Sequence, residues 1–485
     1  MSAVIDRSDP RGGYLFAAML AAFAAIYLVF YPRTYANHDE ARELSLAFSI
    51  EHGSIFPDHA GPSAGLQVGP HVVSVYSPFH AAMFAPALAS DWRLAFLVTA
   101  AFFAVGAFTV RATLVRDGLS ADWSALYFML AGALYYSRTL MAAIPAAVLA
   151  LAAVSMLTRP QPRPIVAGLT FGLSVLMHPW MAPMAIVFSA VWCIERGLKS
   201  FLANLSSIAI GALPCVVALA AYNYITLGNP LHNVYAVLGA QDSFTGAHLF
   251  SFFLFYAVSL AIFPLAGWAV FSPRWSRGWA LPVTAAVMVA LASLYYYRDG
   301  LNVGSARVGI VAGLAAGFIP GQRFLLPVSM LACLPAARFL SSRLSEQAQS
   351  WQRALRPAAL VTFVTGFIVL SAAHQAYLDA HARLQQALWL ALPGNAEVAL
   401  GSELELDDLG KELAPVERAY NGAHDTLHVP AATAYVAYLA LPGNRPPEGW
   451  LDGRRAELVR IRSWAWNRDL WIGDPASETA HSTSR

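Results

Sequence analysis

Charge is scarce in this chain. Asp, Glu, Lys and Arg together make up only 12% of its 485 residues, while 57% are hydrophobic. A soluble domain carries about 25% charged residues, so the balance excludes a soluble globular protein and indicates a polytopic membrane protein. A formal net charge of +2 with scattered bases leaves no basic face for nucleic acid. Cysteine is nearly absent: Cys193, Cys215 and Cys333 all fall inside apolar runs. They read as small buried hydrophobes, which excludes a disulfide framework. Also missing are a Walker loop, a dinucleotide-binding glycine pattern and a Gly-x-Ser-x-Gly elbow. No small-residue cleavage site follows the first apolar run, so residues 14–31 read as a retained helix.

What the chain does have is apolar length. Runs recur at 14–31, 93–115, 121–137, 140–157, 164–178, 180–194, 203–224, 248–271, 279–297, 323–340 and 357–377. The expected fold is therefore all-α, with about 11 transmembrane helices. With a cytoplasmic N-terminus, the inner loops hold Arg116, Arg159, Arg163, Arg196, Lys199, Arg274, Arg277, Arg343, Arg353 and Arg356. Every inner connection then carries a base, as membrane orientation requires. All 13 histidines fall on the outer side or at an outer helix end. Residues 303–320 are apolar but broken by Gly304, Arg307, Gly309, Gly313, Gly317 and Pro320. They read as a re-entrant or surface segment, tolerated where protein or a cavity surrounds it.

The pattern divides the chain into a membrane domain over 1–377 and a soluble extracytoplasmic domain over 378–485. In the first outer loop, 32–92, residues 41–50 read as an amphipathic helix lying on the membrane surface. Beyond residue 378 charges become dense. Alternating runs at 396–400, 433–441 and 458–466 are separated by Pro393-Gly394-Asn395 and Pro442-Gly443-Asn444. These predict a small α/β domain, near the lower size limit for an independent core.

Polar residues at membrane depth or at a helix exit are costly, and that cost marks the candidate site. Tyr35-Ala36-Asn37-His38-Asp39-Glu40 stands directly after the first span. Asp39 is placed either to cap the helix that follows or to take a proton from an incoming hydroxyl, with Glu40 beside it. Four outer-side arginines, Arg138, Arg298, Arg307 and Arg323, run against the inside bias of positive charge. The planar guanidinium fork suits phosphate, and Arg323 opens an apolar helix after Pro320-Gly321-Gln322. His178-Pro179-Trp180 marks a tight outer turn, and Tyr76-Ser77-Pro78-Phe79-His80 could line the mouth of a cavity together with His38. His52, His59, His71 and His80 leave room for a divalent metal, although their spacing fits no known metal motif. No cofactor is required by any motif.

In combination these residues resemble the GT-C superfamily of membrane glycosyltransferases, on the branch of the aminoarabinose transferases, protein O-mannosyltransferases and rhizobial lipopolysaccharide glycosyltransferases. The resemblance covers about residues 14–345. It is carried by Asn37-His38-Asp39-Glu40 with the helix ending at His52-Gly53, by Tyr76-Ser77-Pro78-Phe79-His80, and by Tyr136-Ser137-Arg138 ahead of Pro145. Tyr222-Asn223-Tyr224 with Leu227-Gly228-Asn229-Pro230, and Gln322-Arg323-Phe324-Leu325-Leu326-Pro327, complete it. It implies a bacterial plasma-membrane enzyme with a polyprenyl-phosphate sugar donor, a hydroxyl acceptor in the cell envelope, and inversion at the anomeric carbon. It further implies Asp39 as the base, Glu40 orienting the acceptor or His38, and Arg323 at the donor phosphate. Members often carry a Glu shortly after the Ser-Arg pair, where this chain has Ala142-Ala143. A lipid-linked saccharide transporter or flippase, a catalytically inactive relative, and a polymerase or ligase of whole lipid-linked glycans stay open as alternatives.

Overall fold

The structure is a computed structural model. It describes residues 13–35, 38–57, 65–68, 71–232, 234, 249–295, 319–344, 348–391, 397–401, 421–423, 435–440, 442–446, 450–451, 454–463 and 468–474. Its main helices are α1 (Tyr14–Val29), α2 (His38–Glu51), α3 (Ala95–Arg116), α4 (Ala143–Leu157), α5 (Pro164–Met177), α6 (Met181–Glu195), α7 (Leu198–Leu227), α8 (Leu249–Ile262), α9 (Ala280–Leu294), α10 (Leu326–Leu344) and α11 (Ala348–Ala391). A hairpin, β1 (Gly65–Val68) and β2 (His71–Ser74), follows α2. Among the described residues, Trp92–Arg116, Leu198–Leu227, Gly321–Leu344 and Ala354–Leu388 are long and apolar enough to cross a membrane, and six shorter apolar helices of 10–17 residues accompany them. These ten apolar helices satisfy their own backbone hydrogen bonds, as segments of a polytopic membrane protein must.

Aromatic stacking joins the two ends of the membrane sequence. Phe23 of α1 stacks on Phe103 of α3 at 4.6 Å and on Phe367 of α11 at 5.4 Å. Elsewhere glycine allows backbones to touch. A Cβ on Gly168 of α5 would stand 2.0 Å from the Ile208 carbonyl oxygen, and one on Gly211 of α7 would stand 1.9 Å from that of Ile165. Gly168 and Gly172 form the small-xxx-small pattern that lets membrane helices approach closely. Gly211→Ala is therefore expected to lower the thermal unfolding midpoint in detergent, by about 1–3 kcal/mol of overpacking. Gly366→Ala should leave it unchanged, because nothing lies within 4 Å of the added methyl.

The apolar run over 121–137 is not one helix. It breaks into turns at Ala121–Ser124, Ala125–Phe128 and Ala131–Tyr136, with Leu130 extended at ψ 91°. The amphipathic helix read at 41–50 is present but begins at His38, so Asp39 and Glu40 occupy its first turn. There their charge faces the positive end of the helix dipole.

The tail forms a five-stranded sheet in the order β4-β3-β5-β7-β6, with β3 at Glu397–Gly401, β4 at Asn421–Ala423, β5 at Tyr435–Ala440, β6 at Ala456–Ile461 and β7 at Arg468–Gly473. β3 runs parallel to both β4 and β5, whereas β7 is antiparallel to β5 and β6. One face is covered by Ala380, Leu384 and Leu388 of α11, which pack with Ala437, Ile461, Leu470 and Ile472. The helix runs unbroken from the membrane bundle through residue 378 into that core. Cys193, Cys215 and Cys333 are buried and free. Apart from its last two residues, the segment 303–320 lies outside the described residues.

Candidate active site

Asp39 and Arg323 meet. The Arg323 Nη1 donates to Asp39 Oδ2 at 3.0 Å, and each side chain keeps 14% of its surface exposed. The pair is therefore sheltered yet reachable. Asp39 is fixed by the first turn of α2, and Arg323 by the 3-10 turn Pro320–Leu325 that leads into α10. The Tyr76 hydroxyl donates to the other carboxylate oxygen, Oδ1. Both oxygens are thus held, which fixes the carboxylate plane.

Two further contacts pin the walls. The Ser77 hydroxyl donates to the Leu176 carbonyl at the end of α5, tying the 76–80 segment to the His178 turn. The Trp180 indole N–H donates to the Phe324 carbonyl at 3.2 Å, tying that turn to the arginine. Phe324 packs edge-on to Trp180 and Tyr295 at 5.1 and 5.2 Å, and the Arg323 guanidinium lies 4.9 Å from the Phe324 ring centre. A cation over an aromatic face gains attraction from the ring quadrupole.

Behind Asp39 lies a second pair, His80 with Glu43. His80 Nδ1 is 2.8 Å from Glu43 Oε2, and both side chains are buried. The signal was available, since Glu43 is four residues after Asp39 and shares its helix face. Burial pushes the Glu43 carboxyl above its ordinary range; His80 opposes that shift and the charge on Asp39 adds to it. The His80 Nε2 is buried without a hydrogen-bond partner.

His178 closes the group. Burial first, and then the Arg323 guanidinium and His80, push it down to about 3, against a smaller opposing pull from Asp39. Its Nδ1 accepts from the Trp180 backbone N–H at 3.2 Å. In the folded protein it is neutral, whereas an unfolded chain binds a proton below about 6.5. The stability it contributes is complete above pH 6.5 and is lost as pH falls from 6.5 toward 3. The thermal midpoint in detergent is expected to drop across that window, and His178→Gln should flatten the slope.

The structure brings Asp39, Tyr76, His80, His178 and Arg323 together. It takes Arg138 elsewhere. That side chain is fully buried, donates to the Phe30 carbonyl at 2.6 Å and to His374 Nδ1 at 3.3 Å, and lies 5.8 Å from the Tyr27 ring centre. None of these contacts is with Asp39; together they brace the end of α1 against α11. Glu40 is buried and accepts from the Leu140 backbone N–H at 2.9 Å, so this contact anchors α2 to the loop before α4. Arg298, Arg307, His59 and the His38 side chain lie outside the described residues. Among the described residues, no group of three or more His, Cys, Asp or Glu side chains could hold a metal ion.

No protein-family model matches the chain, and no curated protein matches it by sequence. Solved structures do. ArnT from Cupriavidus metallidurans in the apo state matches over 95% of this chain and 98% of its own, with a TM-score of 0.53 at 13% identity. The fold is that of ArnT. The same protein bound to undecaprenyl phosphate matches over 94% of this chain and 97% of its own, with a TM-score of 0.49 at 14% identity. At this identity the likeness is one of fold, and in the apo structure it spans nearly the whole length of both chains.

Proposed function

We propose that this protein is an inverting membrane glycosyltransferase that moves a sugar from a polyprenyl-phosphate donor to a hydroxyl acceptor at the outer face of a bacterial plasma membrane. The observation that carries the reading is the Asp39–Arg323 pair, a carboxylate and a guanidinium at one membrane-interface site on the ArnT fold. A base and a fixed cation are what such a transfer needs.

The step follows from that geometry. The acceptor oxygen attacks the anomeric carbon from the face opposite the phosphate, and Asp39 takes its proton. A new C–O bond forms as the bond to the phosphate oxygen breaks, and the electron pair leaves with the phosphate. Arg323 stabilises the charge that develops there. In the resting pair these two groups neutralise each other. A donor phosphate competes for the guanidinium, and its arrival releases Asp39 Oδ2 for the acceptor. The Tyr76 hydroxyl on Oδ1 keeps the carboxylate oriented through that exchange. Glu43 and His80 buttress the helix turn beneath it, and neutral His178 lines the site without competing for phosphate.

Transfer of sugar from a synthetic polyprenyl-phosphate donor by the purified protein, coupled to mass spectrometry of envelope glycolipids and glycoproteins with and without the gene, tests the reading. An unchanged envelope together with no transfer would defeat it. The same reading sets the tail beyond residue 378 outside the cytoplasm. A reporter that fluoresces only in the cytoplasm, fused after Arg485, should stay dark, and a bright fusion would reverse the orientation.

A further inference from the structure

The other end of the bundle gathers arginines more tightly than membrane orientation alone requires. α3 starts beside Trp92, which packs against Tyr35 near the site, and ends 22 residues later at Arg116. That is about 33 Å of helix. α4 leaves the Leu140 loop and ends just before Arg159, while α10 starts after Arg323 and carries Arg338. α9 runs the opposite way, from just after Arg277 to Tyr295 beside Phe324. Arg116, Arg159, Arg277 and Arg338 therefore share the end remote from Asp39, and Arg116 lies within electrostatic range of the other three.

Among the described residues, the Asp117 carboxylate serves this group, and both of its oxygens are used. Asp117 Oδ1 accepts from Arg277 Nη1 at 2.7 Å. Its Oδ2 accepts from Arg338 Nη2 at 2.6 Å and from Nε at 3.2 Å. Arg338 is completed by the Trp275 carbonyl at 2.7 Å. Nearby, Glu195 is engaged by the Trp279 backbone N–H, and Asp122 pairs with Arg356 at 2.7 Å. Among the described residues, positive charge at this end outnumbers the Asp117 carboxylate that Arg277 and Arg338 share. Among the described residues, Arg116 has a long contact to Ser155 Oγ at 3.4 Å, and its Nε and Nη2 are buried with no hydrogen-bond partner, as is Arg159 Nε. Buried donors without an acceptor are costly, and here they sit where positive charge is already in excess. An anion with several acceptor oxygens resolves both problems.

We propose that Arg116 and Arg159, backed by Arg277 and Arg338, form a phosphate-binding site at the membrane face opposite Asp39. Its ligand is the phosphate of an anionic lipid headgroup or free phosphate. Basic pockets between membrane helices take anionic headgroups, and the guanidinium fork matches phosphate oxygens. The inference is independent of sugar transfer.

The test uses the full-length protein in nanodiscs of phosphatidylcholine doped with phosphatidylglycerol, with bound lipid counted by native mass spectrometry. Wild type should retain phosphatidylglycerol selectively. Arg159→Gln should reduce retention about fivefold, and Arg116→Gln with Arg159→Gln about 25-fold, from the usual contribution of each arginine at a membrane surface. Thermal midpoints in pure phosphatidylcholine, matching wild type, establish that the variants are folded. If the double variant fails that check, Arg159→Gln decides alone, since Arg159 follows the end of α4 and its loss leaves the helix intact. Stabilisation of the wild type by inorganic phosphate in pure phosphatidylcholine, absent in Arg159→Gln, would identify free phosphate as the ligand. Wild type that selects neither ligand, or a folded Arg159→Gln that binds as well as wild type, overturns the proposal.

Discussion

Asp39→Asn is expected to insert and fold normally, bind donor, and transfer sugar about 10²–10⁴ times more slowly, the usual loss when a general base is removed. The amide is nearly isosteric with the carboxylate, and its oxygen still accepts from Tyr76 or Arg323, so the local geometry survives. It cannot take a proton from the acceptor hydroxyl. Glu40→Gln is the control, because the carboxylate it replaces is buried against the Leu140 backbone N–H and the amide oxygen accepts that bond equally well. Its effect should be small, whereas Glu40→Ala should loosen α2 and reduce stability and activity together. Single-turnover kinetics on the purified variants with a lipid-linked donor measures this directly. Near-normal transfer by Asp39→Asn would move the base elsewhere.

Arg323→Ala is expected to weaken both donor binding and the chemical step. A charge-assisted hydrogen bond contributes about 1.5–3 kcal/mol, or about 10- to 150-fold in rate. Arg323→Lys should recover part of that loss, since the charge returns without the planar fork. The paired variant Arg323→Ala with Asp39→Asn should lose far less than the product of the single losses, because groups that act as a unit are not additive. A double variant whose loss equals that product would mean that the 3.0 Å pair does not work as one device.

Much of this site was legible in the sequence, and the reason is geometric. Span boundaries fix which polar residues sit at a membrane interface, so Asp39, Tyr76, His178 and Arg323 could be gathered on one side before any contact was known. Side-chain partners could not. Arg138 carries the same outer-side signature as Arg323, yet it is fully buried against Phe30 and His374. Nothing in its neighbourhood along the chain separates the two. Glu43 shares the helix face of Asp39, but only the short helix at Pro78–Ala81 brings His80 to it. The break at Leu130 has no proline to announce it. The alternating runs of the tail fall on β3, β5 and β6, whereas β4 at Asn421–Ala423 and β7 at Arg468–Gly473 lie outside them. The parallel pairing of β3 with both β4 and β5 is a long-range choice that local alternation cannot record.

The two central residues stand 284 positions apart, and this distance bears on biosynthesis. As the chain emerges from the ribosome, α2 is complete long before Arg323 is made. A nascent or prematurely terminated chain holds Asp39 without Arg323, and the pair forms only when the turn before α10 docks beside Phe324's aromatic neighbours. Truncated products ending before that turn hold Asp39 but can never form the 3.0 Å pair.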